Sequence, residues 1–187
     1  MLSGAEQKLV RQCLAGDRPA QQRLYRQYAD AMYNICHRMM GQAAEAEDML
    51  QDAFVEIFRK LDTFRGEATL GAWMKRIVIN HCLNGLKKRR IQFAELQAYH
   101  DEQPDDPAGD TDDVQYEVAR VREAIRQLPD GYRQVLTLYL LEGYDHSEIA
   151  HILGIQESGS KSQYSRAKAR LRALLVNQPA GQPHRNE

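Results

Sequence analysis

The chain has 187 residues, of which 43% are hydrophobic and 27% charged, and a formal net charge of −1. That length holds one medium domain or two small ones, and the near-neutral balance excludes a uniformly basic nucleic-acid coat, so local segregation of charge is what matters. Three widely spaced cysteines, a polar start from Met1 to Gln12 and the absence of any apolar run of membrane-spanning length lead us to expect a reduced, cytoplasmic protein without a signal peptide.

With six prolines and long stretches free of strong breakers, the chain reads as helical. Leu9, Val10, Cys13 and Leu14 predict a short amphipathic helix ended by Gly16. Asp17 has the character of an N-cap, Pro19 is tolerated in the first turn behind it, and the next helix runs to about Met40 with Leu24, Tyr28, Met32, Ile35 and Met39 inward before Gly41 stops it. A third helix, about Ala43 to Leu61, carries its core stripe at Leu50, Ala53, Phe54, Ile57, Phe58 and Leu61. The loop DTFRGEAT follows, then a fourth helix from about Leu70 to Arg90 that closes on the run Lys87-Lys88-Arg89-Arg90. Four helices in this span share one core, giving a first domain over residues 1–94.

Residues 95–117 carry nine acids, no Lys or Arg and two prolines, and predict an acidic flexible linker. Beyond it Val118, Val121, Ile125 and Leu128 form one helical stripe, and Tyr132, Val135, Leu136 and Tyr139 form another that ends near Gly143. Then comes a short helix, about Ser147 to Leu153, with Ile149, Ala150 and Leu153 on one side and Gly154 where a left-handed residue would end it. The last helix starts near Gln156 or Glu157, buries Tyr164, Ala167, Leu171 and Leu174, and has no acid from Ser158 through Leu175. A short helix, a glycine turn and a basic, hydroxyl-rich second helix make a helix-turn-helix, whose second helix enters the DNA major groove; an ordinary helical hairpin with a solvated basic face has the same pattern. The second domain is expected over 118–176 and a frayed tail over 177–187.

Beside the helix-turn-helix, two further surfaces could carry function. Glu45, Asp48, Asp52 and Glu56 lie on the flank of the third helix away from its core stripe, with Gln51 and Val55 among them; this is either a solvated face or one that docks on a basic partner. On the fourth helix Trp73, Arg76, Asn80, Asn84 and Lys87 fall within about 80° of one another at 100° per residue. Two mid-helix asparagines are poor helix formers, and an aromatic ring, amides and cations on one face suit opened or single-stranded DNA, although Trp73 could equally belong to the core. Enzymatic readings do poorly: the six histidines fall into no ligand spacing and no phosphate-cradling glycine loop is present, so no catalytic residue, metal or cofactor is expected.

The segments AEDMLQDAFVEIFRKLDTFRGEATLGAWMKRIVINHCLNGLKKRR and LPDGYRQVLTLYLLEGYDHSEIAHILGI resemble regions 2 and 4 of the sigma-70 family, and more narrowly the extracytoplasmic function (ECF) group of RNA polymerase sigma factors. The resemblance spans roughly Leu9 to Leu175. It implies an all-α protein of two small helical domains, and partners in core RNA polymerase (its β′ clamp helices and β flap), promoter DNA and an anti-sigma factor. It assigns Asp48, Gln51, Asp52 and Val55 to a polymerase-binding segment. Phe64, Arg65, Trp73, Arg76, Asn80, Asn84, Lys87, Lys88, Arg89 and Arg90 match the part that opens and holds the −10 element. Ser158, Lys161, Ser162, Ser165, Arg166 and Arg170 match the helix that reads the −35 element. The acidic linker resembles the segment that threads the polymerase cleft. One departure stands out: relatives place a glycine-small-valine-lysine-serine run where this chain has Ser158-Gly159-Ser160-Lys161-Ser162. A helical glycine costs about 1 kcal/mol relative to alanine, and a serine in the valine position is expected to weaken the local core. A free-standing helix-turn-helix regulator and a protein that sequesters a sigma factor are the other two function classes the sequence leaves.

Overall fold

Asp17 sets the start of the first long helix in the way its position suggests. In the computed structural model, which describes residues 4–96 and 113–177, its carboxylate accepts a hydrogen bond from the Ala20 backbone N–H at 3.2 Å. The helix behind it, α2 (Arg18–Met40), closes on Gly41 at φ 84°, a left-handed residue whose N–H returns to the His37 carbonyl. Before it lies α1 (Gly4–Leu14), and after it come α3 (Ala43–Lys60), a 3₁₀ turn (Leu61–Thr63) and α4 (Leu70–Leu96). The chain divides into two compact units, and these elements form the first. Helices α2, α3 and α4 pack pairwise on one another, with α1 against α2. Leu24, Met39, Ile57, Leu61, Leu70, Met74 and Ile79 are fully enclosed between them.

Several sequence expectations shift here. The fourth helix runs six residues past Arg90, to Leu96, because nothing in IQFAEL breaks it. The linker expected over 95–117 is therefore helical at its first two residues, and α5 (Asp113–Arg126) takes its last five; residues 97–112, the tail from 178 onward and residues 1–3 lie outside the described residues. Tyr28 and Phe58 are only half-buried, since each ring lies at the border of its stripe; the Tyr28 hydroxyl donates to Glu6 on α1.

The second unit contains α5, α6 (Asp130–Leu140), α7 (His146–Leu153) and α8 (Glu157–Asn177), and α8 is the helix on which the other three pack. Leu128, Leu136 and Ala167 form its buried centre, with Ile125, Tyr132, Leu171 and Leu174 around them. The stripe expected on α5 holds at Ile125 and Leu128 but not before them. Val118 and Val121 are exposed, while the inward line runs through Arg120, Ala124 and Leu128 in steps of four. Ala124 lets α5 approach α8 closely, and the Arg120 stem lies along the seam while its guanidinium donates to the Leu175 carbonyl. Arg133 is a further polar residue built into this core. Almost wholly buried, it donates to the Arg126 carbonyl at 2.9 Å and the Leu128 carbonyl at 2.8 Å and pairs with Asp130. It thereby satisfies carbonyls at the end of α5 just before Pro129 breaks the chain direction.

Candidate nucleic-acid interface

The helix-turn-helix is fixed at both ends by local chemistry. Asp145 accepts from the Glu148 backbone N–H at 2.8 Å, and the Glu148 carboxylate accepts from the Asp145 N–H at 2.9 Å, a reciprocal capping box that starts α7. Gly154, at φ 64°, ends it, and the Ile155 N–H donates to the Ala150 carbonyl across the turn. Helix α8 then begins at Glu157. Ser158, Lys161, Ser162, Ser165, Arg166 and Arg170 are all exposed along it, whereas Ala167 is fully buried. Lys161 is held by Glu157 one turn earlier at 2.6 Å, and that hydrogen bond raises the lysine's pKa. Lys168 lies over the Tyr164 ring, 4.6 Å from its centroid.

Ser160, the residue expected to weaken the local core, has a polar partner there. It is fully buried, and its Oγ shares a 2.9 Å hydrogen bond with His146 Nδ1, the first residue of α7. The imidazole stacks on Tyr139 from α6, with centroids 4.5 Å apart and planes inclined by 15°, and meets Tyr164 of α8 edge-on. A hydroxyl with a partner costs far less than one without, so the serine is accommodated by a polar neighbour that a spacing search for metal ligands could not reveal.

In the first unit, Arg76, Asn80, Asn84, Lys87 and Lys88 are exposed on α4. Trp73 is half-buried. Its ring packs against Phe64 from the preceding loop at 5.4 Å, so part of the indole serves packing and part faces water beside Arg76. Arg65 is exposed in the same loop, and Thr69 caps α4 by accepting from the Ala72 N–H at 3.2 Å. Arg89 is placed differently from its neighbours: it is half-buried and bound to Glu45 of α3 at 2.6 Å. The Arg90 side chain lies outside the described residues. Four residues are exposed along one strip of α3, namely Asp48, Gln51, Asp52 and Val55, the valine at 69%. Glu56, at the end of the strip, is tied to Lys60 and Arg59, whose hydrogen bonds depress its pKa. Among the described residues no His, Cys, Asp or Glu cluster could hold a metal ion, and no helix is long and apolar enough to cross a membrane.

Two helical units, one bearing a helix-turn-helix with a basic outer face and the other an amide-and-cation face on its longest helix, define a two-module DNA-associated protein. Comparison with known proteins narrows the class. The Sigma-70 region 2 family matches residues 24–91 and the Sigma-70, region 4 family matches residues 119–171. The chain is 32% identical over 173 residues to the ECF RNA polymerase sigma factor SigM of Mycobacterium tuberculosis, covering 91% of this chain and 85% of that one. It is 29% identical to SigW of Bacillus subtilis, covering 90% and 95%. The chain belongs to the ECF group of sigma-70-family RNA polymerase sigma factors. The fold agrees. The sigma factor RpoE of Bartonella quintana, solved with the anti-sigma factor NepR, superposes with a TM-score of 0.59 at 24% identity over 84% of this chain and 98% of that one. CnrH, solved with the cytosolic domain of CnrY, gives 0.54 at 24% identity over 91% and 97%.

Proposed function

We propose that this sigma factor is a dissociable promoter-specificity subunit whose first unit docks on core RNA polymerase and opens the −10 element while the second reads the −35 element. One observation carries the reading. Both sigma regions stand in order on one chain, and each turns a face of the required chemistry to solvent. On α3 the acids Asp48 and Asp52 flank Gln51 and Val55, a strip suited to a basic, part-apolar partner such as the β′ clamp helices. On α4 the exposed amides of Asn80 and Asn84 can hydrogen-bond unpaired base edges. Trp73 and Phe64 offer rings for stacking, and Arg65, Arg76, Lys87 and Lys88 offer charge to phosphates. On α8 the N-terminal half of the basic face is the part a helix-turn-helix inserts into the major groove. Lys161 and Arg166 are the side chains able to reach guanine edges, and Ser158, Ser162, Ser165 and Arg170 border them.

The protein performs no chemistry itself in this reading; the polymerase does, in the cytoplasm. Region 4 also meets the β flap. An anti-sigma factor, the partner seen with RpoE of Bartonella quintana, holds it when it is not needed. Run-off transcription with core polymerase from the source bacterium tests this directly. Promoter-specific initiation that requires the added chain is the expected result. Failure to initiate, together with a tight gel shift on duplex DNA without polymerase, would instead establish a free-standing regulator.

A further inference from the structure

Arg89 belongs to the basic run that ends the sequence signature of region 2, yet it sits on the wrong side of α4 to share the DNA face. At 100° per residue it lies about 160° around the helix from Trp73, whereas Asn80, Asn84 and Lys87 lie within roughly 40° of that direction. It falls three residues after Leu86, which falls four after Cys82, and both of those are buried. Arg89 therefore continues the core stripe of α4, and the charge at its end meets Glu45 of α3 at 2.6 Å. A second contact fixes the register of the same two helices. A Cβ at Gly85 would stand 2.8 Å from the Met49 sulfur, so α4 passes α3 closely there. From Met49 to Glu45 is one turn back on α3, and from Gly85 to Arg89 is one turn on along α4. The two contacts are the successive rungs of an antiparallel helix pair.

From this register we infer that Arg89 is a positioning residue and not a phosphate contact, and that Glu45 is its partner in holding the C-terminal half of α4 on α3. The inference rests on the promoter-opening reading above. The helix that carries the docking acids Asp48 and Asp52 thereby also seats the segment that presents Asn84, Lys87 and Lys88 to DNA. The chemistry favours this division of labour. A planar guanidinium engaged by a carboxylate in a half-buried seam must break that pair before it can serve a phosphate, while the Lys87 and Lys88 ammoniums already lie in water.

Holoenzyme assembled from the full chain and core polymerase decides the matter through two readouts. The first is −10 opening, scored per holoenzyme formed so that any change in docking is removed. Arg89→Glu is expected to lower opening roughly three- to tenfold, and the swap Glu45→Arg with Arg89→Glu is expected to restore most of it. The second readout is the salt dependence of binding to the non-template −10 strand. Lys87→Ala should reduce the slope by about 0.7, the value of one phosphate contact to a single strand, while Arg89→Ala should leave the slope unchanged. An unrescued swap, or a slope change for Arg89→Ala matching that for Lys87→Ala, overturns the inference while wild-type opening stands. Absence of opening by the wild-type chain overturns the promoter-opening reading, and with it the role given to Arg89.

Discussion

At Ser160 a hydroxyl occupies the seat where an aliphatic side chain would close α8 against α6 and α7. The hydroxyl bonds to His146, whose ring in turn packs against Tyr139 and Tyr164. Ser160→Ala removes the hydroxyl and leaves the ring nitrogen without its partner, so stability should fall by about 1 kcal/mol. Urea unfolding with an unchanged m-value measures this, and an unchanged midpoint would mean the bond contributes nothing. The cysteines give a second case at this scale. Cys13, Cys36 and Cys82 are all buried and unpaired as disulfides. A hydrogen bond that the Cys82 thiol donates to Cys36, together with burial, pushes it far above its ordinary value of 9.0, and burial, helped by Asp17, raises Cys13. The folded chain should therefore resist a thiol reagent at pH 8 and expose three reactive thiols only in denaturant, counted by absorbance. The linkage has a definite sign. The folded state keeps Cys82 protonated, so its contribution is fully present below 9.0 and is lost as pH rises above that value and the unfolded thiol ionises. Neither environment was legible in the sequence, because histidine and serine fourteen residues apart, or cysteines on α2 and α4, meet only through tertiary packing.

Elements were far more legible than their partners. The breaks at Gly16, Gly41, Pro129 and Gly154 and the cap at Asp17 mark helix ends by local chemistry, and the structure places ends within a few residues of each. The α5 seam was misread because Val118 and Val121 outrank Ala124 in hydrophobicity, although the small residue is the one that permits close packing. The strut on α4 was readable in principle: steps of four and three from Cys82 through Leu86 lead to Arg89, but a run of four basic residues looks like a single feature. Gly159 lets an element-level argument reach function. It lies in the first turn of α8 with ordinary helical φ, and a Cβ there would meet no atom of the protein. Gly159→Ala should thus stabilise the chain by up to about 1 kcal/mol. If the glycine serves close approach of α8 to the DNA backbone, the same substitution should weaken −35 binding. Thermal unfolding and duplex titration together read both; stabilisation with unaltered affinity would leave the glycine without a role at the DNA.

For the whole molecule, the proposed function divides between the two units, docking and −10 opening on the first and −35 reading on the second. The acids on α3 provide the cleanest handle on that division. Asp48 and Asp52 are exposed, one turn apart, and among the described residues neither is seen in an ion pair, whereas on the same helix Glu45 pairs with Arg89 and Glu56 with Arg59 and Lys60. Reversing both charges with Asp48→Lys and Asp52→Lys therefore costs the fold little, within about 0.5 kcal/mol per site for exposed positions away from special contacts. The effect on docking should be large, because like charges brought together at an interface oppose encounter and leave desolvated cations unpaired. The expected outcome is loss of holoenzyme assembly in a pull-down with core polymerase, with circular dichroism and melting temperature close to those of the unaltered chain. Weak binding to −35 duplex by the chain alone should persist, since the face proposed for it lies on α8. Raising salt offers an internal check: wild-type assembly should weaken with ionic strength, whereas the reversed variant, already deprived of the attraction, should show a shallower or inverted dependence. Assembly at wild-type affinity would remove the α3 strip from the docking surface and direct attention to another face of the first unit, whatever the family resemblance.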